Sequence, residues 1–131
     1  KEFLKGAQNF FGMVIDSFVK GNLKDIVDYI DVKLVKNFQS AIDERLAENE
    51  SLKIEIIKMN SIQIKNVKKL KNFIRISVLF ESEQVKVLKD KEGNIIDGDQ
   101  KKSIIVKDLW TFERKIQTDN LNWKLVETSD A

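Results

Sequence analysis

The first part of the chain repeats its apolar residues at helical spacing. Phe3, Leu4, Ala7, Phe10, Phe11, Val14, Ile15, Phe18 and Val19 recur every three to four positions and predict a long N-terminal helix. At about 100° per residue the stripe covers roughly half the helix circumference, wider than one face of an ordinary surface helix. Such width fits a helix wedged between a sheet and a second helix, which is the expected arrangement. The other reading offers part of the stripe to a membrane or a partner. Gly21 ends this helix, and Asn22 followed by Asp25 reads as the cap of a short second helix carrying Leu23, Ile26, Val27 and Ile30. Asp31 caps a third, with Leu34, Val35, Phe38, Ala41, Ile42 and Leu46 along its apolar side and an end near Asn49.

From Ser51 the period changes to two. Leu52, Ile54 and Ile56 alternate with polar residues, then Ile62 and Ile64, then Ile74, Ile76, Val78 and Phe80, and each run predicts a strand. The last of these continues through residues 84–88. Lys91-Glu92-Gly93-Asn94 and Asp97-Gly98-Asp99 are turn sequences flanking Ile95-Ile96. Residues 104–126 are the most clearly patterned stretch and predict two strands joined at Thr118-Asp119-Asn120. Val106, Asp108, Trp110, Phe112, Arg114 and Ile116 share one face of the first strand, and Leu121, Trp123 and Leu125 resume it in the second. A hairpin centred on that turn sets Ile116 opposite Trp123 and Arg114 opposite Leu125, with indole and guanidinium in diagonal reach. Helices first and antiparallel strands afterwards is the α+β order. The expectation is one domain over residues 1–131, its N-terminal helices packed on the aromatic face of a curved antiparallel meander sheet.

Charge and composition narrow the chemistry. The 131 residues hold 23 Lys+Arg and 21 Asp+Glu, a net charge of +2, which gives no bulk attraction for nucleic acid. Arg45, Arg75 and Arg114 are the only arginines; the lysine excess, with abundant Ile and Asn, matches an A+T-rich coding sequence and weakens functional readings of lysine clusters. The chain has no Cys, so it forms neither disulfides nor thiolate metal sites. It also has no His, which deprives a serine nucleophile of its usual base and removes the commonest acid–base group at neutral pH. No run approaches the roughly 18 apolar residues of a membrane span. The chain starts at Lys1 without Met, so it is expected to be the C-terminal part of a longer protein.

Three candidate sites follow from residue types. Asp108 on the aromatic face is the best candidate for a carboxylate whose pKa is raised by an apolar wall, although a hydrated strand end explains it better than catalysis. Asp97-Gly98-Asp99 suggests a calcium loop, but Lys102 stands at the sixth position, where that loop needs Gly; it reads as a turn, and no metal site is expected. Lys65, Lys68, Lys69 and Lys71 cluster where a hairpin tip is expected, and near anionic lipid each contributes about 1 kcal/mol. With Lys1 and Lys5 they can hold one face to a bilayer, while a solvated tip explains them equally well. No aromatic residues interleave with them as on single-strand nucleic-acid platforms.

Taken together, several segments resemble the Tim44-like family: FLKGAQNFF at 3–11, KGNLKDI at 20–26 and AIDERL at 41–46 in the helical half. IRISVLF at 74–80, DKEGNIIDGD at 90–99 and VKDLWTFERKIQTDNLNWKLVET at 106–128 carry the likeness in the sheet half. The WTFER hairpin with its downstream NW is the most specific part. The resemblance implies a nuclear-transport-factor-two-like cone around an apolar pocket, and an adaptor role without catalysis or cofactor. It also implies peripheral attachment to an inner membrane, here the cytoplasmic face in an alphaproteobacterium, through anionic cardiolipin-like lipid and an unidentified protein partner. On that basis Lys1, Phe3, Leu4, Lys5, Lys65, Lys68, Lys69 and Lys71 are the expected membrane surface. Ile76, Val78, Phe80, Trp110, Phe112, Arg114 and Trp123 are the expected pocket, with Arg114 either receiving a carboxylate or phosphate at its mouth or, preferably, neutralising a buried acid such as Glu44. Two other classes stay open: a carrier of an apolar ligand, and an isomerase-type enzyme built on Asp108.

Overall fold

The computed structural model describes residues 2–116 and 122–131. Lys1 and the expected turn at Thr118-Asp119-Asn120 with Leu121 lie outside the described residues. Two α-helices, α1 (Glu2–Lys20) and α2 (Val32–Ala47), precede five strands: β1 (Ser51–Lys69), β2 (Phe73–Lys89), β3 (Ile95–Gly98), β4 (Ile104–Lys115) and β5 (Lys124–Asp130). The expected α+β cone is what forms.

Both helices stop for local reasons. Gly21 takes a left-handed φ of 77°, and the amides of Gly21 and Asn22 donate back to Phe18 O and Ser17 O, the Schellman arrangement in which glycine escapes the Cβ penalty. Asn49 does the same for α2 with φ 55°, its amide and that of Glu50 returning to Leu46 O and Arg45 O. At its start, Asp31 accepts from the Lys33 amide at 3.1 Å, the expected cap.

The expected second helix does not form. After Asn22 accepts from the Lys24 amide, the chain makes a turn and a single 3-10 turn at Val27–Tyr29. Eight residues between two caps are too few to offset helix nucleation, and sheet pairing competes for them. Ile30 bridges Leu125 in parallel, and the Asp31 amide donates to Leu125 O at 2.8 Å, which covers part of the β5 edge.

The sheet runs β1-β2-β4-β5, with β3 also pairing with β2, and every ladder is antiparallel. The two short strands expected on either side of residue 57 are one strand, β1. Its pairing with β2 shifts at Ile56/Lys58, Met59/Ser61 and Ile64/Asn66. Each shift adds a residue that breaks the alternation and bends the strand, which is why the period-two signal looked interrupted. The β4–β5 hairpin also departs from expectation. Leu125 pairs with Phe112, not Arg114, after a shift beside Thr111. The slip is two residues, so the faces keep their identity.

The core sits where the middle of α1 crosses the sheet. Phe11 is fully buried, stacked on Phe80 at 4.5 Å and tilted against Trp110 at 4.6 Å. Burying such a ring is worth about 1.5–3 kcal/mol before packing is counted. Around it lie Val14, Ile26, Ile42, Val78 and Leu125. Among the buried polar residues, Gln84 answers Ser82 by donating to its Oγ at 2.9 Å. In α2 the expected stripe holds at Leu34, Val35, Phe38 and Ile42, but Ala41 and Leu46 are exposed, and Arg45 turns inward. Its Nη2 donates to Phe18 O at 2.8 Å and Val19 O at 3.2 Å, while the guanidinium lies 5.2 Å from the Phe18 ring centroid. The last carbonyls of α1 need donors, and an arginine supplies them where a leucine cannot.

Candidate functional site: a groove at the open end of the cone

Between the bulky pairs Phe3-Leu4 and Phe10-Phe11, α1 carries Gly6 and Ala7. A Cβ added at Gly6 would meet nothing within 4 Å, so here the helix leaves a space over the sheet. The space is a groove of about 420 Å³, within the range of small-molecule sites. Its walls are mainly rings. Phe3 stands edge-on to Phe112 at 5.8 Å and to Trp123 at 4.9 Å. Phe10 stands edge-on to Phe112 at 6.2 Å and to Tyr29 at 6.3 Å. Glu2 and Asn122 add polar atoms to the lining. Tyr29 reaches the groove because the Ile30–Leu125 bridge ties its segment to β5.

Arg114 shares the groove-floor face with Phe112, one alternation further along β4. Its guanidinium carbon lies 5.3 Å from the Trp123 ring centroid, the cation–π contact expected from the hairpin. Its Nε is buried without a hydrogen-bond partner among the described residues. The preferred pairing with Glu44 does not occur, because Glu44 is exposed on the outer side of α2. In the sheet, Arg114 faces Ile74, and Ile74 faces Lys69 on β1.

The expected pocket residues divide along the sheet. Phe112 and Trp123 line the groove, Arg114 stands beside it, and Ile76 is half-buried next to Phe112. Val78 and Phe80 are fully buried and Trp110 nearly so, under the ring of Phe11. Gly6, Ala7, Phe10 and Tyr29 were not singled out as groove residues, although a glycine–alanine pair inside a phenylalanine stripe was a readable signal.

The expected membrane residues also separate. Phe3 turns its ring inward onto Trp123, not outward. Leu4 is half-buried and Lys5 exposed, both beside Ser61 and Ile62 of β1. Gln8 sits beside Met59, so α1 runs along β1 with its N-terminus toward the β1–β2 tip. Residues 63–69 beyond it are all exposed and form an arm with Lys65, Lys68, Lys69 and Lys71. Lys68 pairs with Arg75 across the ladder and Lys69 with Ile74, which puts them on opposite faces.

A second groove, of about 450 Å³, lies toward the other end under α1 and α2. Asp108 lines it with Lys86, Asp130 and the apolar side chains of Phe18, Phe38 and Trp110. Burial raises the Asp108 pKa above 3.8; Lys86 opposes the rise and Asp130 adds to it. Tyr29 lines the first groove, not this one.

A two-helix roof on a bent antiparallel sheet, with an apolar groove where the roof thins, defines a cone-type α+β domain. The chain belongs to the Tim44-like domain family, whose model matches residues 1–130, and so is related to membrane-associated, translocase-related proteins. Among solved structures, it is similar in fold to the intermembrane space region of the chloroplast protein ARC6. That likeness has a TM-score of 0.65 at 12% identity and covers 97% of this chain and 95% of that one. No curated protein matches the sequence.

Proposed function

We propose that this chain is a non-enzymatic adaptor domain that sits peripherally on an anionic inner-membrane surface and holds a protein partner there. Membership of the Tim44-like family supports the class. The observation that carries the reading is the β1–β2 arm. Ile64 and Val67 are 44% and 60% exposed among Lys65, Lys68, Lys69 and Lys71. Apolar side chains can enter the headgroup boundary while lysines meet lipid phosphates, each worth about 1 kcal/mol near the surface. Among the described residues no helix is long and apolar enough to cross a membrane. The cytoplasmic face of a bacterial membrane and a cardiolipin-like lipid are the proposed setting.

Co-sedimentation with cardiolipin-containing vesicles tests this. Binding is expected at low ionic strength, with a loss of about tenfold or more when the four arm lysines become glutamine. Absence of binding at every salt concentration, by this chain and by a version extended at its N-terminus, overturns the proposal.

The groove favours a second reading, in which the domain accommodates an apolar ligand against Phe3, Phe112 and Trp123. An isomerase-type site has less support. The candidate carboxylate, Asp108, and the sole tyrosine line different grooves and cannot act on one substrate atom.

A further inference from the structure

We infer that Arg114 and Lys69 form an anion-binding step at the mouth of the Gly6–Ala7 groove. The ligand class is then an anionic amphiphile, with a carboxylate or phosphate head on a single apolar tail. This rests on reading the groove as a ligand cavity.

The first support is an unmet donor. Among the described residues the Arg114 Nε is buried with no partner, and arginine cannot shed its proton to relieve that. Native structures rarely leave such an atom unsatisfied without a reason. Its guanidinium is held by the Trp123 ring, a contact that fixes the fork without using its N–H groups. The same ring is a wall of the groove, so the cation adjoins the apolar space.

The second support is register. Lys69, Ile74 and Arg114 lie in one row across β1, β2 and β4, all on the groove-floor face. Strand spacing puts the two cationic backbones about 10 Å apart, close enough for two long side chains to meet one anion from either side. Ile74 between them is half-buried and brings no competing charge. Arg75, by contrast, faces the other side of the sheet and already holds Glu113 at 2.7 Å. Glu2, the acid in the groove lining, is on the helix wall. A tail laid along Phe112 and Trp123 therefore ends its head at Arg114, where bidentate charge-assisted bonds are available.

Titration calorimetry with decanoate and decanol, equal in tail and different in head, tests this. Wild type should bind decanoate at least tenfold tighter than decanol. Arg114→Met should weaken decanoate about tenfold or more and leave decanol unchanged, which also shows that the variant is folded. Arg114→Lys should fall between, Lys69→Met should lose about two- to threefold, and Arg75→Met should change nothing. Equal binding of acid and alcohol by wild type and Arg114→Met overturns the anion step while leaving the groove as an apolar site. Failure of both probes to bind wild type overturns the groove reading and the inference with it. Displacement of bound decanoate by phosphatidylglycerol vesicles and not by phosphatidylcholine vesicles places a lipid headgroup on the step. Binding without displacement by either supports a free carboxylate there.

Discussion

Trp110 lies within β4 and Trp123 immediately before β5, both against the helical layer, yet Trp110 is 4% exposed and Trp123 only half-buried. Trp110 is flanked by Val78 and Thr128 in the ladders and Trp123 stands at the sheet's end, and the roof over the two also differs. Over Trp110, α1 places Phe11, which also stacks on Phe80. Toward Trp123, α1 offers Gly6 and Ala7, and Phe3 reaches back to touch the indole edge-on. Two small residues thus convert one end of a continuous aromatic layer from packed core into an accessible wall. Tight packing and an open groove stand less than three helical turns apart on one helix.

The sharpest way to break this contrast is at its packed end. Phe11→Ala should cost about 3–5 kcal/mol of unfolding free energy, because a rigid site under two other rings cannot collapse around the cavity. Denaturant midpoints at constant slope would show it. Trp123→Ala should cost about 1–2 kcal/mol, since only part of the ring leaves water on folding. Equal losses at the two sites would mean that the open end is as tightly packed as the centre. Gly6→Ala should stabilise by about 0.5–1 kcal/mol through helix propensity alone, with Gly6→Leu additionally filling the groove and abolishing decanoate binding. Binding that survives Gly6→Leu would remove the groove from beneath that part of α1.

The smallest effect belongs to the far end, around Asp108. Its folded pKa is raised above 3.8, first by burial. The native state therefore holds the proton more tightly than the unfolded chain, and stability falls as pH rises from 3.8 through the folded value. Asp108→Asn should be the more stable protein at pH 7 and lose that advantage near pH 3, as read by thermal unfolding at both values. An advantage that grows on acidification would reverse the sign and give Asp108 a favourable native partner.

Much of this was visible in the order of residues. The helical stripe of α1, the caps at Gly21 and Asp31, the change of period at Ser51 and the inward face of the tryptophan hairpin all depend on near neighbours along the chain. Periodicity reports such neighbours directly. The hairpin register was misplaced by two residues without loss, because parity alone decides which face a side chain takes.

Long-range contacts settled the rest. The segment at Val27–Tyr29 has helical spacing, yet it closes only a single 3-10 turn before Ile30 bridges Leu125 and the Asp31 amide donates to Leu125 O of β5. Arg45 turns inward and Leu46 outward because the carbonyls ending α1 lie above one and water above the other. Arg114 had two candidate fates on paper; the pairing with Glu44 is not made, because Glu44 is exposed on α2 while Arg114 lies in the sheet row with Ile74 and Lys69. Alternation along a single strand says which face a residue takes, and only the assembled layers say what faces it there.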